Sequence, residues 1–258
     1  MLILLPPSEG KLCPARGKAL DLKALRDSVL NDARQQVAAE LVSLCQAEPE
    51  KARKILGLSE KLGQWVQRNS ELYSAATDSA SRIYSGVLFG ELGLTELSGD
   101  ELRRANKRII IFSALFGLAR PNDRIPCYRL SGNVKLPRIG NLTRFWQEPI
   151  SLAMQRSARE QLIVDMRSTP YISMWSPPKD SGVNMVQVKI WQRDSKGNRV
   201  AVSHHNKATK GKLARYLATT DNTMKTGPDV LAAIVAQGWQ AELDTAAHPT
   251  RLDVYIEP

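Results

Sequence analysis

Three short, densely apolar runs, each closed by a cluster of polar residues, constrain this chain more than any other feature. Met1 to Leu5 runs into PPSEGK, Pro6 to Lys11; Ile109 to Phe112 sits inside KRIIIFSALFGLARP; Leu162 to Met166 sits inside QLIVDMRS. None approaches the ~20 residues needed to cross a bilayer. Apolar runs of this length with no alternation read as strands buried on both faces, as in a parallel sheet. Pro6 and Pro7 end the first one, because proline has no N–H to give to a sheet ladder. In open α/β sheets ligands bind in the crevice outside the carboxyl ends of the strands. If the three strands are neighbours and run the same way, that crevice gathers Ser8-Glu9-Gly10-Lys11, Arg120-Pro121-Asn122-Asp123 with Tyr128 and Arg129, and Asp165-Met166-Arg167-Ser168 with Tyr171.

Helical patterns fill much of the remaining chain. Residues 21 to 46 place Leu22, Leu25, Val29, Ala33, Val37 and Leu41 at spacings of three and four, which predicts one amphipathic helix. A helical stretch near 50 to 56 meets Gly57 and Ser59, and EKLGQWVQRNSELYSAA then resumes through Leu62, Val66 and Tyr73. Helix, glycine turn and helix read as a helix-hairpin-helix-like element, in which backbone N–H groups at a helix start face a phosphate; any αα-hairpin is the plainer alternative. Further helices are expected near 98 to 106 and 141 to 161, from Asn206, and over PDVLAAIVAQGW with Gly238 as its cap. MVQVKIWQRDSKGNRVAVSHH alternates on both sides of Ser195 to Asn198, a hairpin signature, and RLDVYIEP closes as a strand. The expected fold class is α+β, a mixed β-sheet flanked by helices with a helix-hairpin-helix-like element. With no linker, repeat or low-complexity block, residues 1–258 are expected to form one domain.

Charge is unevenly placed. The chain carries a net +10, yet residues 101 to 215 alone hold 22 Lys and Arg against 7 Asp and Glu. A concentrated basic surface suits a polyanion, because neutralising phosphates releases condensed counterions; a solvated basic face is the plain alternative. Cys13, Cys45 and Cys127 show no CxxC spacing and cannot all pair, so reduced thiols and a cytoplasmic setting are expected. His204, His205 and His248 have no metal-ligand spacing, and no metal or cofactor is expected. PPSEGK is not a phosphate-binding GxxxxGK[ST] loop, and neither GxSxG nor GxGxxG occurs in a strand-to-helix setting.

Lys11, Arg120 and Arg129 would make the crevice positive, Arg through bidentate and Lys through point-charge contacts. Glu9, Asp123 and Asp165 are the acid–base candidates; the alternative is that they pair with arginines and hold loops together. In NKATKGKLARYL, the residues Lys207, Lys210, Lys212 and Arg215 cluster around a helix start, where they oppose the helix dipole unless a phosphate docks there.

Taken together, MLILLPPSEGK, LSEKLGQWVQRN, IYSGV, FSALFGLARPNDRIPCYRL, Phe145-Trp146, VDMRSTPY and KATKGKLARY resemble the YaaA family of bacterial peroxide stress-response proteins. The likeness extends over nearly the whole chain and is most specific from Ser113 to Leu130. PPSEGK stands where many members have a shorter Ser-Pro-Ala-Lys form, so the chain resembles a divergent branch. The resemblance implies a cytoplasmic protein that limits unincorporated iron during hydrogen peroxide stress and binds double-stranded DNA through a positive cleft. It implies roles for Ser8, Lys11, Lys61, Tyr84 and Gly86, then for Arg120, Pro121, Asp123, Tyr128 and Arg129. It also implies Ser168, Tyr171, Lys207, Lys210 and Arg215. A nucleotide or other phosphorylated small molecule, acted on in the same cleft, is the alternative ligand; no membrane partner is expected.

Overall fold

Every residue of Leu2–Leu5 and of Ile109–Ser113 is buried, as is every residue of Ile163–Asp165. The computed structural model describes residues 1–159, 161–178, 181–193, 199–201 and 204–256. Among these, eight strands form the main sheet: β1 (Leu2–Leu5), β2 (Ile109–Ser113), β3 (Gly117–Ala119), β4 (Ile163–Asp165), β5 (Met185–Arg193), β6 (Arg199–Ala201), β7 (Gln240–Asp244) and β8 (Thr250–Ile256). Their order is β7-β8-β5-β4-β1-β2-β3, with β6 paired to β5. β8, β5, β4, β1 and β2 are parallel neighbours, while β3, β6 and β7 are antiparallel to theirs. β1 lies in the middle, with Ile3 opposite Ile109 on one side and Val164 on the other. The expected mixed sheet flanked by helices is the architecture found. Of the expected hairpin, β5 and β6 pair antiparallel, and the turn at Ser195 to Asn198 lies outside the described residues.

The helices of six residues or more among the described residues are α1 (Asn31–Ala47), α2 (Pro49–Ile55), α3 (Gln64–Ser70), α4 (Val87–Leu92), α5 (Gly99–Arg108), α6 (Gln147–Ala158), α7 (His204–Thr219) and α8 (Gly227–Val235). The helix expected over 21 to 46 starts ten residues late, at Asn31. Asp21 accepts a hydrogen bond from Lys23 N and caps one 3-10 turn, and Asp27, at φ 57, takes a left-handed conformation that stops any helix from running through. The one apolar position this displaces is Val29, which is 55% exposed, whereas Leu22, Leu25, Ala33, Val37 and Leu41 are buried. α2 and α3 form a hairpin of two seven-residue helices, turned by Gly57 at φ 64 and a 3-10 turn over Glu60–Leu62. Buried Asn69, at the end of α3, ties the hairpin down: its Nδ2 donates to Arg129 O (2.8 Å), and Arg129 N donates to its Oδ1 (2.9 Å).

α7 begins at His204, earlier than expected, so Lys207 and Lys210 fall in its first two turns while Lys212 and Arg215 lie farther along. It packs on α4 at Gly211, where an added Cβ would lie 2.4 Å from Leu88 O. The cysteines also depart from expectation. Cys13 and Cys127 form a disulfide, and only Cys45 is a free, buried thiol. The two partners are 114 residues apart, so local spacing carries no sign of their pairing; tertiary structure brings their Cα atoms to 5.3 Å. No described helix is long and apolar enough to cross a membrane.

Gly90 and Gly211 give opposite expectations for one substitution. Nothing lies within 4 Å of a Cβ at exposed Gly90 in α4, so Gly90→Ala should stabilise the fold by about 0.5–1 kcal/mol. Gly211→Ala should destabilise it by about 1–3 kcal/mol, because α7 must move off α4. Urea unfolding midpoints check both; a stabilising Gly211→Ala would contradict the close packing.

Candidate functional site

Outside the carboxyl ends of β1 and β4 the structure holds a cavity of about 680 Å³. Its walls are Pro6 to Lys11 from the β1 exit, Met166 to Ile172 from the β4 exit, Arg129 to Ser131, the start of α4, and Lys189, Asn206, Lys207 and Lys210. The β1 exit is held by the segment facing it. Ser8 Oγ donates to Ser85 O, Ser85 N to Gly10 O (3.1 Å), and Leu12 N to Ile83 O (2.9 Å). Gly86 permits this approach twice over: its φ is 105, and a Cβ there would lie 2.9 Å from Ser8 Oγ.

Lys11 points its ammonium into a wall of carbonyl and aromatic groups. Nζ donates to Ser8 O (2.7 Å) and lies 4.3 Å from the Tyr128 ring centroid and 5.4 Å from that of Tyr84. The nearby carboxylate of Glu9 is taken by Arg129, whose Nη2 donates to Glu9 Oε2 at 2.8 Å, and Arg129 Nη1 also donates to Glu9 O at 3.3 Å. Burial first, then the nearby Arg129, pushes the Lys11 ammonium down to about 7, with Glu9 opposing both. Lys210, whose Nζ donates to Met166 O (3.1 Å), is pushed down to about 8, mainly by burial; Asp165 raises it and Lys189 lowers it.

Behind Lys11 runs a buried chain of hydroxyls. Tyr84 OH and Tyr128 OH are 2.8 Å apart, as are Tyr128 OH and Ser113 Oγ, which accepts from Leu115 N and Phe116 N. Burial pushes both phenols up, so they stay protonated and keep the wall neutral. Tyr171, also raised by burial, lines the cavity on the β4 side with Ser168.

The structure sorts the expected site residues into those it brings together and those it does not. Ser8, Glu9, Lys11, Arg129, Ser168, Tyr171, Lys207 and Lys210 line one cavity, and Tyr84 and Tyr128 back it. Arg120 and Asp123 do not reach it. β2 turns after three residues into antiparallel β3, with Ala119 opposite Ile111, so the chain is carried back away from the crevice before Arg120. Asp123 there accepts from Arg120 N (2.7 Å) and Arg26 N (3.1 Å), and Arg120 Nε lies 3.6 Å from Asp27 Oδ2. Asp165 is buried at the end of β4, where Arg167 Nε and Nη2 each donate to it at 2.8 Å and Arg167 N donates at 3.0 Å. Both aspartates therefore hold loops. Arg215 donates to Leu92 O, Gly93 O and Glu96 Oε2, closing the end of α4 on a different surface, and Lys61 sits exposed in the α2–α3 turn. Lys189 is a cavity residue that sequence reasoning missed. The alternation of β5 marks it, since Val186, Val188 and Ile190 are buried and Lys189 faces the other way.

The profile described as "Peroxide stress protein YaaA" matches residues 1–244. The chain belongs to the YaaA family. A UPF0246 protein of Streptomyces coelicolor is 39% identical, over 99% of this chain and 98% of its own length. One from Corynebacterium efficiens is 37% identical, over 97% of this chain and 98% of its own, and one from Shewanella loihica is 26% identical over 96% of each.

Two measurements bear on this geometry. After reductive ¹³C-methylation, Lys11 should titrate near 7 by NMR. Between about 7 and 10.5 the unfolded chain holds a proton at Lys11 that the folded chain has released, so this group makes stability rise with pH there. Lys11→Met should remove that slope. Arg167→Met leaves the Asp165 carboxylate buried and unpaired and should cost about 3–5 kcal/mol in chemical unfolding.

Proposed function

We propose that this protein binds the sugar-phosphate backbone of duplex DNA during hydrogen peroxide stress and thereby helps limit iron-dependent damage to it. The family to which the chain belongs supports the peroxide-stress role. One observation carries the binding reading: besides Arg167, which Asp165 neutralises, the cavity lining holds Lys11, Arg129, Lys189, Lys207 and Lys210 against a single carboxylate, Glu9. Such an excess of positive charge in a concave site raises the local concentration of anions. The surface beyond the cavity supports an extended ligand. Asn69 joins the α2–α3 hairpin, which carries exposed Lys54, Lys61 and Arg68 among the acidic Glu48, Glu50, Glu60 and Glu71, to the backbone of Arg129, a cavity-lining residue. A cavity of about 680 Å³ takes a phosphate group or one extruded nucleotide, with the duplex itself outside it.

The same enclosure favours a second reading. Small-molecule sites commonly measure about 300–1,000 Å³, so a nucleotide or another phosphorylated small molecule also fits.

Fluorescence anisotropy with a labelled duplex separates the readings. Duplex binding should weaken steeply with salt, and Lys61→Ala and Lys207→Ala should each lower the slope of log K against log salt by about 1. No binding, or affinity unchanged from low to moderate salt, overturns the DNA reading. A small-molecule site instead predicts that Lys210→Met abolishes nucleotide binding while any duplex affinity stays intact.

A further inference from the structure

Lys11 lies against two aromatic rings of the cavity wall, its Nζ 4.3 Å from the Tyr128 ring centroid and 5.4 Å from that of Tyr84. Its Nζ is enclosed, and its carbonyl partner, Ser8 O, occupies one of three hydrogens. The neighbouring carboxylate, Glu9, is committed to Arg129 at 2.8 Å. Lys207 and Lys210, on the first turns of α7, stand on the same cavity and supply the anion-binding charge without it.

We propose that Lys11 is a nucleophile toward carbonyl compounds that carry a phosphate, forming an imine through Nζ while Lys207 and Lys210 hold the phosphate. This inference rests on the anion-binding reading of the cavity. In the reaction the lone pair of the neutral amine adds to the carbonyl carbon, and the carbonyl oxygen takes up the proton that Nζ gives up. Loss of water from that carbinolamine leaves a carbon–nitrogen double bond, so amine plus carbonyl becomes imine plus water with no change of oxidation state. Burial supplies the neutral amine near pH 7. When protonated, the imine is again a cation, and it forms against the Tyr128 ring face that the ammonium occupies, 4.3 Å from its centroid. Two sources offer the same carbonyl chemistry: the open-chain sugar aldehyde of an abasic position in DNA, flanked by phosphates, or a free sugar phosphate.

Reductive trapping tests this on the full chain. The wild-type protein is incubated at pH 7 with cyanoborohydride and one of two probes, a duplex containing one abasic position or pyridoxal 5′-phosphate, and adducts are mapped by peptide mass spectrometry. The expected result is one dominant adduct on Lys11 with at least one probe, absent from Lys11→Arg. The probe giving the faster adduct at equal concentration identifies the source. Pyridoxal without its phosphate should label Lys11 at least tenfold less than the phosphorylated form. Adducts scattered over exposed lysines, with no excess at Lys11 for either probe, overturn the proposal. If an intact duplex or the phosphorylated aldehyde binds reversibly while Lys11 stays unmodified, the imine chemistry fails and the anion-binding reading stands; if neither binds, both fail. The adduct map of the wild-type chain separates these outcomes even if Lys11→Arg does not fold.

Discussion

Parallel pairing of β1 on both edges is the constraint on which the cavity depends. Leu2–Leu5 is only four residues long, yet it is clamped between Ile109–Ile111 and Ile163–Asp165. With neighbours on both sides and side chains buried on both faces, the strand's direction and register are set by the sheet. Where Pro6 and Pro7 end the ladder, the chain leaves at one defined point, beside the exit of β4. The crevice opens at β1 because the sheet grows from it in two directions, toward β2 and toward β4, a topological switch of the kind that creates ligand sites in open sheets.

Electrostatics then divide the polar residues at this edge into two classes. Asp165 and Arg167, both buried, form an ion pair, and Arg167 Nη1 also donates to Tyr171 O at 2.9 Å. Lys11 and Lys210 meet backbone carbonyls instead, and their positive charge is weakened by burial rather than answered by a carboxylate. Such an arrangement is costly for a protein without an anion and comfortable with one. Glu9, the acid–base candidate in this loop, spends its carboxylate at the exposed rim on Arg129, where it fixes the arginine rather than facing Lys11.

Much of this was legible in the residues. The three apolar runs are strands, and the clusters after the first and third do meet. Lys207 and Lys210 face the cavity expected to hold an anion. Arg120 and Asp123 were not legible, because their position depends on a three-residue turn that reverses the chain after β2, and no local pattern announces that reversal. The late start of α1 has a similar cause: the apolar spacing continues through residues 22 to 30, but the left-handed backbone at Asp27 interrupts the helix without changing that spacing.

Sequence by itself determined where the buried strands lie, which polar groups follow them, that positive charge concentrates in the second half of the chain, and, through its motifs, the family. These are local or additive properties, carried by residue type and spacing. Only the tertiary structure decided which charges are answered and which are not. Glu9 with Arg129 and Cys13 with Cys127 are two pairings made at sequence separations of 120 and 114. Whether a charge or thiol finds a partner depends on where the sheet delivers each loop, and that is set by strand order and direction, which spacing along the chain does not encode.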